Sequence, residues 1–86
     1  MVIGIPKEIK NNEYRVAATP FYVEKLISNG HRVLVEKNAG WGSGFLDQNY
    51  LDAGSVILDH PKAIFEQADM ILKIKEPQKQ EFDYIK

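Results

Sequence analysis

The stretch Thr19-Pro20-Phe21-Tyr22-Val23-Glu24-Lys25-Leu26-Ile27-Ser28-Asn29-Gly30-His31-Arg32-Val33-Leu34-Val35-Glu36 decides the class of fold. A threonine before a proline is a helix start. The hydroxyl can accept from the unpaired amides of the first turn, and proline at the first helical position gives up an N–H that has no partner there anyway. Val23, Leu26 and Ile27 then recur at helical spacing and give the helix one apolar face. Gly30 ends it, because a left-handed turn costs glycine little. The five residues that follow His31 are β-branched and apolar at their centre, which predicts a strand buried on both faces.

Working outward, the same alternation repeats. Val2-Ile3-Gly4-Ile5, stopped by Pro6, reads as a first buried strand, followed by a polar stretch from Lys7 to Arg15 with Asn11-Asn12 as a turn signal. Asn38 to Gly44 is a glycine-rich loop. Asp47 is expected to cap a short helix from about Gln48 to Ala53, closed by Gly54. Ser55 to Leu58 predicts a third strand. Pro61 opens a further helix with Ile64, Phe65 and Ala68 on one side, and Met70 to Lys75 predicts a fourth strand halted by Glu76-Pro77. Gln80 to Lys86 reads as the first turns of a helix with no stop signal. Strands alternating with helices imply an α/β fold, a Rossmann-like parallel sheet with crossover helices. Four strands that end inside a helix suggest an incomplete N-terminal portion of a larger protein.

Composition narrows the function classes. With 86 residues, 11 Lys plus Arg and 12 Asp plus Glu, the net charge is −1, which gives no basic footprint for nucleic acid. The absence of cysteine excludes disulfides, thiol catalysis and thiolate zinc sites from this chain. Its start lacks the basic and apolar regions of a signal peptide, and no apolar run approaches the ~20 residues that span a bilayer. A cytoplasmic protein without membrane partners is expected.

In open α/β sheets, ligands gather outside the carboxyl ends of the strands. Two cations are expected there: Arg15, in the connection after the first strand, and Lys75, at the end of the fourth. Arg15 offers a planar fork that can grip a carboxylate through two parallel hydrogen bonds, and Lys75 a compact charge able to polarise a carbonyl. Together they suit a small oxo acid. The bland alternative is a pair of solvated or ion-paired surface charges. Lys73 shares the face of Lys75 by strand alternation and is an equal contender on geometry alone. Glu8 and Glu13 flank the Arg15 segment and are expected to orient basic side chains or meet water rather than transfer protons.

Other candidates are weaker. Gly40-Trp41-Gly42-Ser43-Gly44 lacks the dinucleotide spacing, since the sixth place is Phe45. It reads instead as a turn-rich loop, with Trp41 and Phe45 covering the sheet edge. His31 and His60 are placed as turn residues without a triad or metal set around them, and no metal-binding spacing occurs.

The run Ile3-Gly4-Ile5-Pro6-Lys7-Glu8-Ile9-Lys10-Asn11-Asn12-Glu13-Tyr14-Arg15-Val16-Ala17, then Thr19-Pro20, closely resembles the start of alanine dehydrogenases. Gly30-His31, Ala39 to Phe45 and Leu72-Lys73-Ile74-Lys75-Glu76-Pro77 agree in order and spacing. The resemblance implies conversion of L-alanine to pyruvate and ammonia with hydride transfer to NAD. It implies that Arg15 and Lys75 hold the substrate, and it selects Lys75 over Lys73 as the lysine directly before Glu-Pro. It implies that residues 1–86 are the first part of the substrate-side domain. The catalytic residues and the NAD-binding domain would lie beyond Lys86, so that the piece alone would be inactive. Members are commonly hexamers. Rival resemblances are the N-terminal domain of the nicotinamide nucleotide transhydrogenase α subunit, which shares Arg-Val-Ala-Ala-Thr-Pro, and, more distantly, lysine-forming saccharopine dehydrogenases. A noncatalytic α/β module that binds a small acid or a partner is the rival from another class.

Overall fold

The computed structural model describes residues 1–10, 13–76 and 78–85; the expected turn at Asn11-Asn12 and the strand stop at Pro77 fall outside them. In chain order the elements are β1 (Val2–Ile5), α1 (Pro20–Ser28), β2 (Arg32–Glu36), a 3-10 turn (Trp41–Ser43), α2 (Asp47–Asp52), β3 (Val56–Leu58), α3 (Pro61–Gln67), β4 (Met70–Ile71) and a 3-10 segment (Lys79–Tyr84).

The four strands form one sheet in the order β3-β2-β1-β4, with every neighbouring pair parallel. Ile3 pairs with Val33 on one side and with Met70 on the other. The sheet therefore grows outward from β1 in two directions, and the switch point lies between β1 and β4. That is where an open α/β sheet leaves a crevice at the carboxyl ends of its strands.

Side-chain alternation sends Ile3, Ile5, Val33 and Val35 to one face, where they pack with Val23 of α1 and Tyr50 of α2 in the main core. The Tyr50 hydroxyl, buried there, donates to the Ala18 carbonyl at 2.8 Å, and burial pushes its pKa up to about 12. Gly4 points to the opposite face, where α3 lies so close that a Cβ would stand 2.6 Å from Ile64 Cγ2 and 2.9 Å from Ala68 Cβ. Helices thus cover both faces of a sheet whose central strands carry no polar side, as β2 showed in its sequence.

The helix punctuation behaves largely as expected. Thr19 Oγ1 accepts from Tyr22 N at 3.2 Å, with Pro20 as the first helical residue, and Gly30 takes a φ of 93° just past the end of α1. Pro61 opens α3, with Ile64 and Phe65 buried.

Three expectations are corrected. Asp47 does not cap α2: it is the first helical residue, and its carboxylate accepts from Asn38 N at 2.8 Å across the loop. The cap position belongs to Leu46, whose N–H donates to Asn49 Oδ1 at 2.8 Å. The fourth strand stops at Ile71 rather than reaching Lys75, with one last ladder bond from Leu72 N to Gly4 O at 2.9 Å. The segment expected to begin a helix at Gln80 is a 3-10 stretch over Lys79–Tyr84.

Candidate functional site at the switch point

Two glutamates organise the crevice. After β1, Pro6 ends the ladder and the chain carries Glu8 beneath the end of β4. The Glu8 carboxylate is buried and accepts from Ile74 N at 3.0 Å, from Lys75 N at 3.2 Å and from Lys73 Nζ at 3.2 Å. Amides that would have extended the β4 ladder are bound to a side chain instead, which is why the strand ends early. Lys73 is consequently a core cation, its side chain 7% exposed, shared between Glu8 and Glu81 Oε2 at 3.2 Å each. The expectation that Lys73 shares a strand face with Lys75 therefore fails. Lys75 lies past the strand, its side chain 39% exposed.

Glu13 is the second organiser. Its carboxylate accepts from Arg15 Nε and Nη2 at 3.0 Å each and from Arg15 N at 3.0 Å, and Lys75 Nζ lies 3.8 Å from its Oε1. The hydrogen bonds from Arg15 hold the Glu13 pKa down at about 2, with the Lys75 charge adding to the effect, and the same contact raises that of Arg15. The two cations expected to act together thus meet at one buried carboxylate. Arg15 comes from the connection after β1 and Lys75 from the segment after β4, the two strands that flank the switch point.

Arg15 keeps an exposed side chain on the wall of an open cleft of about 450 Å³, whose other walls include Lys10, Tyr14, Ala39 and Trp41. Lys10 is tied to Glu76 at 2.6 Å across the cleft margin. Trp41 does not cover the sheet edge as expected. It is 64% exposed, whereas Phe45 packs edge-on against Tyr50 with ring centroids 6.4 Å apart. Within the glycine run, Gly40 and Gly42 make their close approaches to the protein itself. A Cβ at Gly42 would stand 2.7 Å from the Tyr14 carbonyl, and one at Gly40 would stand 2.7 Å from the Tyr50 ring. Ser43 Oγ donates to the same Tyr14 carbonyl at 2.9 Å, so the loop grips the segment that carries Arg15.

The histidines stay away from the cleft walls. His60 Nδ1 accepts from Lys62 N at 3.0 Å and caps α3, while His31 follows the glycine that ends α1. Among the described residues no group of three or more His, Asp or Glu could hold a metal ion.

Residues 4–86 match the family model described as alanine dehydrogenase/PNT, N-terminal domain. The chain belongs to that family. Over all 86 residues it is 56% identical to the alanine dehydrogenase of Bacillus subtilis (strain 168) and 54% identical to that of Methanococcus maripaludis. It spans only 22% and 23% of those two proteins. Among solved structures, an L-alanine dehydrogenase superposes over the whole chain with a TM-score of 0.97 at 43% identity. A transhydrogenase from Sinorhizobium meliloti does so with a TM-score of 0.91 at 40% identity, and the chain covers 24% of each structure. The Rossmann-like α/β architecture and the kinship read from the Arg15 and Lys75 segments are both borne out.

Two participants were less visible in the sequence. Glu13 was expected to orient basic side chains, but not to serve both cations; its place two residues before Arg15 is the only local signal. Glu81, which completes the Lys73 pair from 8 residues away in the chain, carried none.

Proposed function

We propose that this chain is the opening part of the substrate-side domain of an NAD-dependent L-alanine dehydrogenase, a cytoplasmic homo-oligomer when full length. The reaction would be L-alanine, NAD⁺ and water to pyruvate, ammonium, NADH and a proton. The observation that carries this reading is the convergence of Arg15 and Lys75 on Glu13, beside the open cleft that Arg15 lines, in a chain 56% identical to an alanine dehydrogenase.

In this reading Arg15 uses the guanidinium donors not engaged by Glu13 to grip the substrate carboxylate, and Lys75 faces the carbonyl oxygen or the second carboxylate oxygen. The substrate is thereby held with its α-carbon oriented for hydride transfer, a gain of positioning rather than of chemistry. NAD supplies the hydride acceptor and would be bound by sequence outside these residues. Proton transfer likewise belongs to groups outside this chain, and residues 1–86 alone are expected to be inactive. Exposed Phe21, Leu46 and Phe82 support a reading in which further protein covers this piece. No helix among the described residues is long and apolar enough to cross a membrane.

The test is an assay of the full-length protein: alanine-dependent reduction of NAD⁺, and oxidation of NADH with pyruvate and ammonium. Activity in both directions supports the reading. Transfer of hydride between two nicotinamide nucleotides, with no alanine turnover, would favour the transhydrogenase alternative instead.

A further inference from the structure

Two cations facing a substrate that carries a single carboxylate leave an excess charge unless something offsets it. Arg15 and Lys75 together contribute +2. Both contact the carboxylate of Glu13, whose side chain is 4% exposed and bound at three hydrogen bonds to Arg15. These three side chains therefore sum to a charge of +1.

Two features make this carboxylate part of the site rather than a surface counterion. Its bidentate contact with Arg15 takes the Nε hydrogen and one Nη2 hydrogen, which leaves Nη1 and the outer Nη2 hydrogen to a ligand. Its side chain is 4% exposed while those of Arg15 and Lys75 are 67% and 39% exposed, so the shared carboxylate lies beneath the two cation heads. An ordinary exposed ion pair would do neither.

We propose that Glu13 is a specificity-determining residue that sets the site to accept a monocarboxylate oxo acid and to reject dicarboxylates. The inference rests on the functional reading above. With Glu13 present, one substrate carboxylate neutralises the cluster, and a second carboxylate meets a charge that is already balanced. With Glu13 neutralised, the cluster carries +2 and matches a dianion such as oxaloacetate. At the separations of such a site, one added unit charge shifts relative binding of a dianion by about tenfold or more.

The experiment uses the full-length protein and the variants Glu13→Gln and Glu13→Asp. It compares kcat/KM for oxaloacetate with kcat/KM for pyruvate, both with ammonium and NADH. E13Q is expected to raise the oxaloacetate-to-pyruvate ratio about tenfold, and E13D, which keeps the charge, to leave the ratio within about twofold of wild type while raising both KM values. General damage to the site would lower both substrates together and leave the ratio unmoved, and that result overturns the proposal. A tenfold change in E13D would overturn it too. Should E13Q not fold, Glu13→Asn supplies the same neutralisation with the same readout. A wild-type protein inactive on pyruvate would defeat the functional reading and this inference with it. An active wild type whose neutral variants keep the wild-type ratio would defeat the inference alone.

Discussion

Lys75 Nζ lies 3.8 Å from Oε1 of Glu13, the same oxygen that Arg15 engages through Nη2 at 3.0 Å. Residues 60 positions apart in the chain thus share one buried carboxylate, and they come from the segments that follow the two strands on either side of the switch point. The fold brings the cations together; Glu13 fixes the head of Arg15 by hydrogen bonds and draws that of Lys75 by charge.

Lys73 should matter for stability, unlike an exposed lysine. Lys73→Met leaves the buried Glu8 and Glu81 carboxylates without their cation, at a cost of about 3–5 kcal/mol. Urea or thermal unfolding of the full-length variant measures this. The double variant Glu8→Gln/Lys73→Met should recover part of the loss, because removing both members of a buried pair costs less than removing one.

The Glu13 carboxyl gives a signature in acid. Its folded pKa is depressed from 4.5 to about 2, so its contribution is fully present above the unfolded value and lost as pH falls through the folded one. The stability difference between wild type and Glu13→Gln should therefore be constant from neutral pH down to about 5 and shrink steadily toward pH 2. Unfolding midpoints measured across that range check it. A difference that grew on acidification would contradict the ion pair.

Gly42→Ala tests how the glycine loop serves the cleft. The new Cβ would fall 2.7 Å from the backbone oxygen of Tyr14, a contact relieved only if the glycine loop and the Arg15 segment move apart. The pyruvate KM is expected to rise about tenfold, with the NADH KM unchanged. Steady-state kinetics on the full-length variant gives both values.

Local chemistry made much of the fold legible. Thr19-Pro20, Gly30 and the apolar centre of β2 act through their nearest neighbours, and each formed the element it implied. The errors arose where a distant residue intervened. Nothing within Met70 to Lys75 marks Ile71 as the last strand residue, because the cause is the Glu8 carboxylate, 66 positions from Ile74, taking the amides of Ile74 and Lys75. The same contact separates Lys73 from Lys75, which spacing alone left as equals. Asp47 looked like a cap because the demand on its carboxylate comes from Asn38, across the loop. At the site, charge type and strand-end position suggested Arg15 and Lys75. The shared glutamate required the two loops to be seen side by side.

Arg15→Ala in the full-length protein asks whether Arg15 grips the substrate carboxylate. The variant should lose about a hundredfold or more in kcat/KM for pyruvate, as expected when a charge-assisted bidentate contact is removed. Its affinity for NADH, measured by fluorescence titration, should stay within about twofold of wild type. Near-normal pyruvate turnover in Arg15→Ala, with the protein folded and NADH bound, would contradict it.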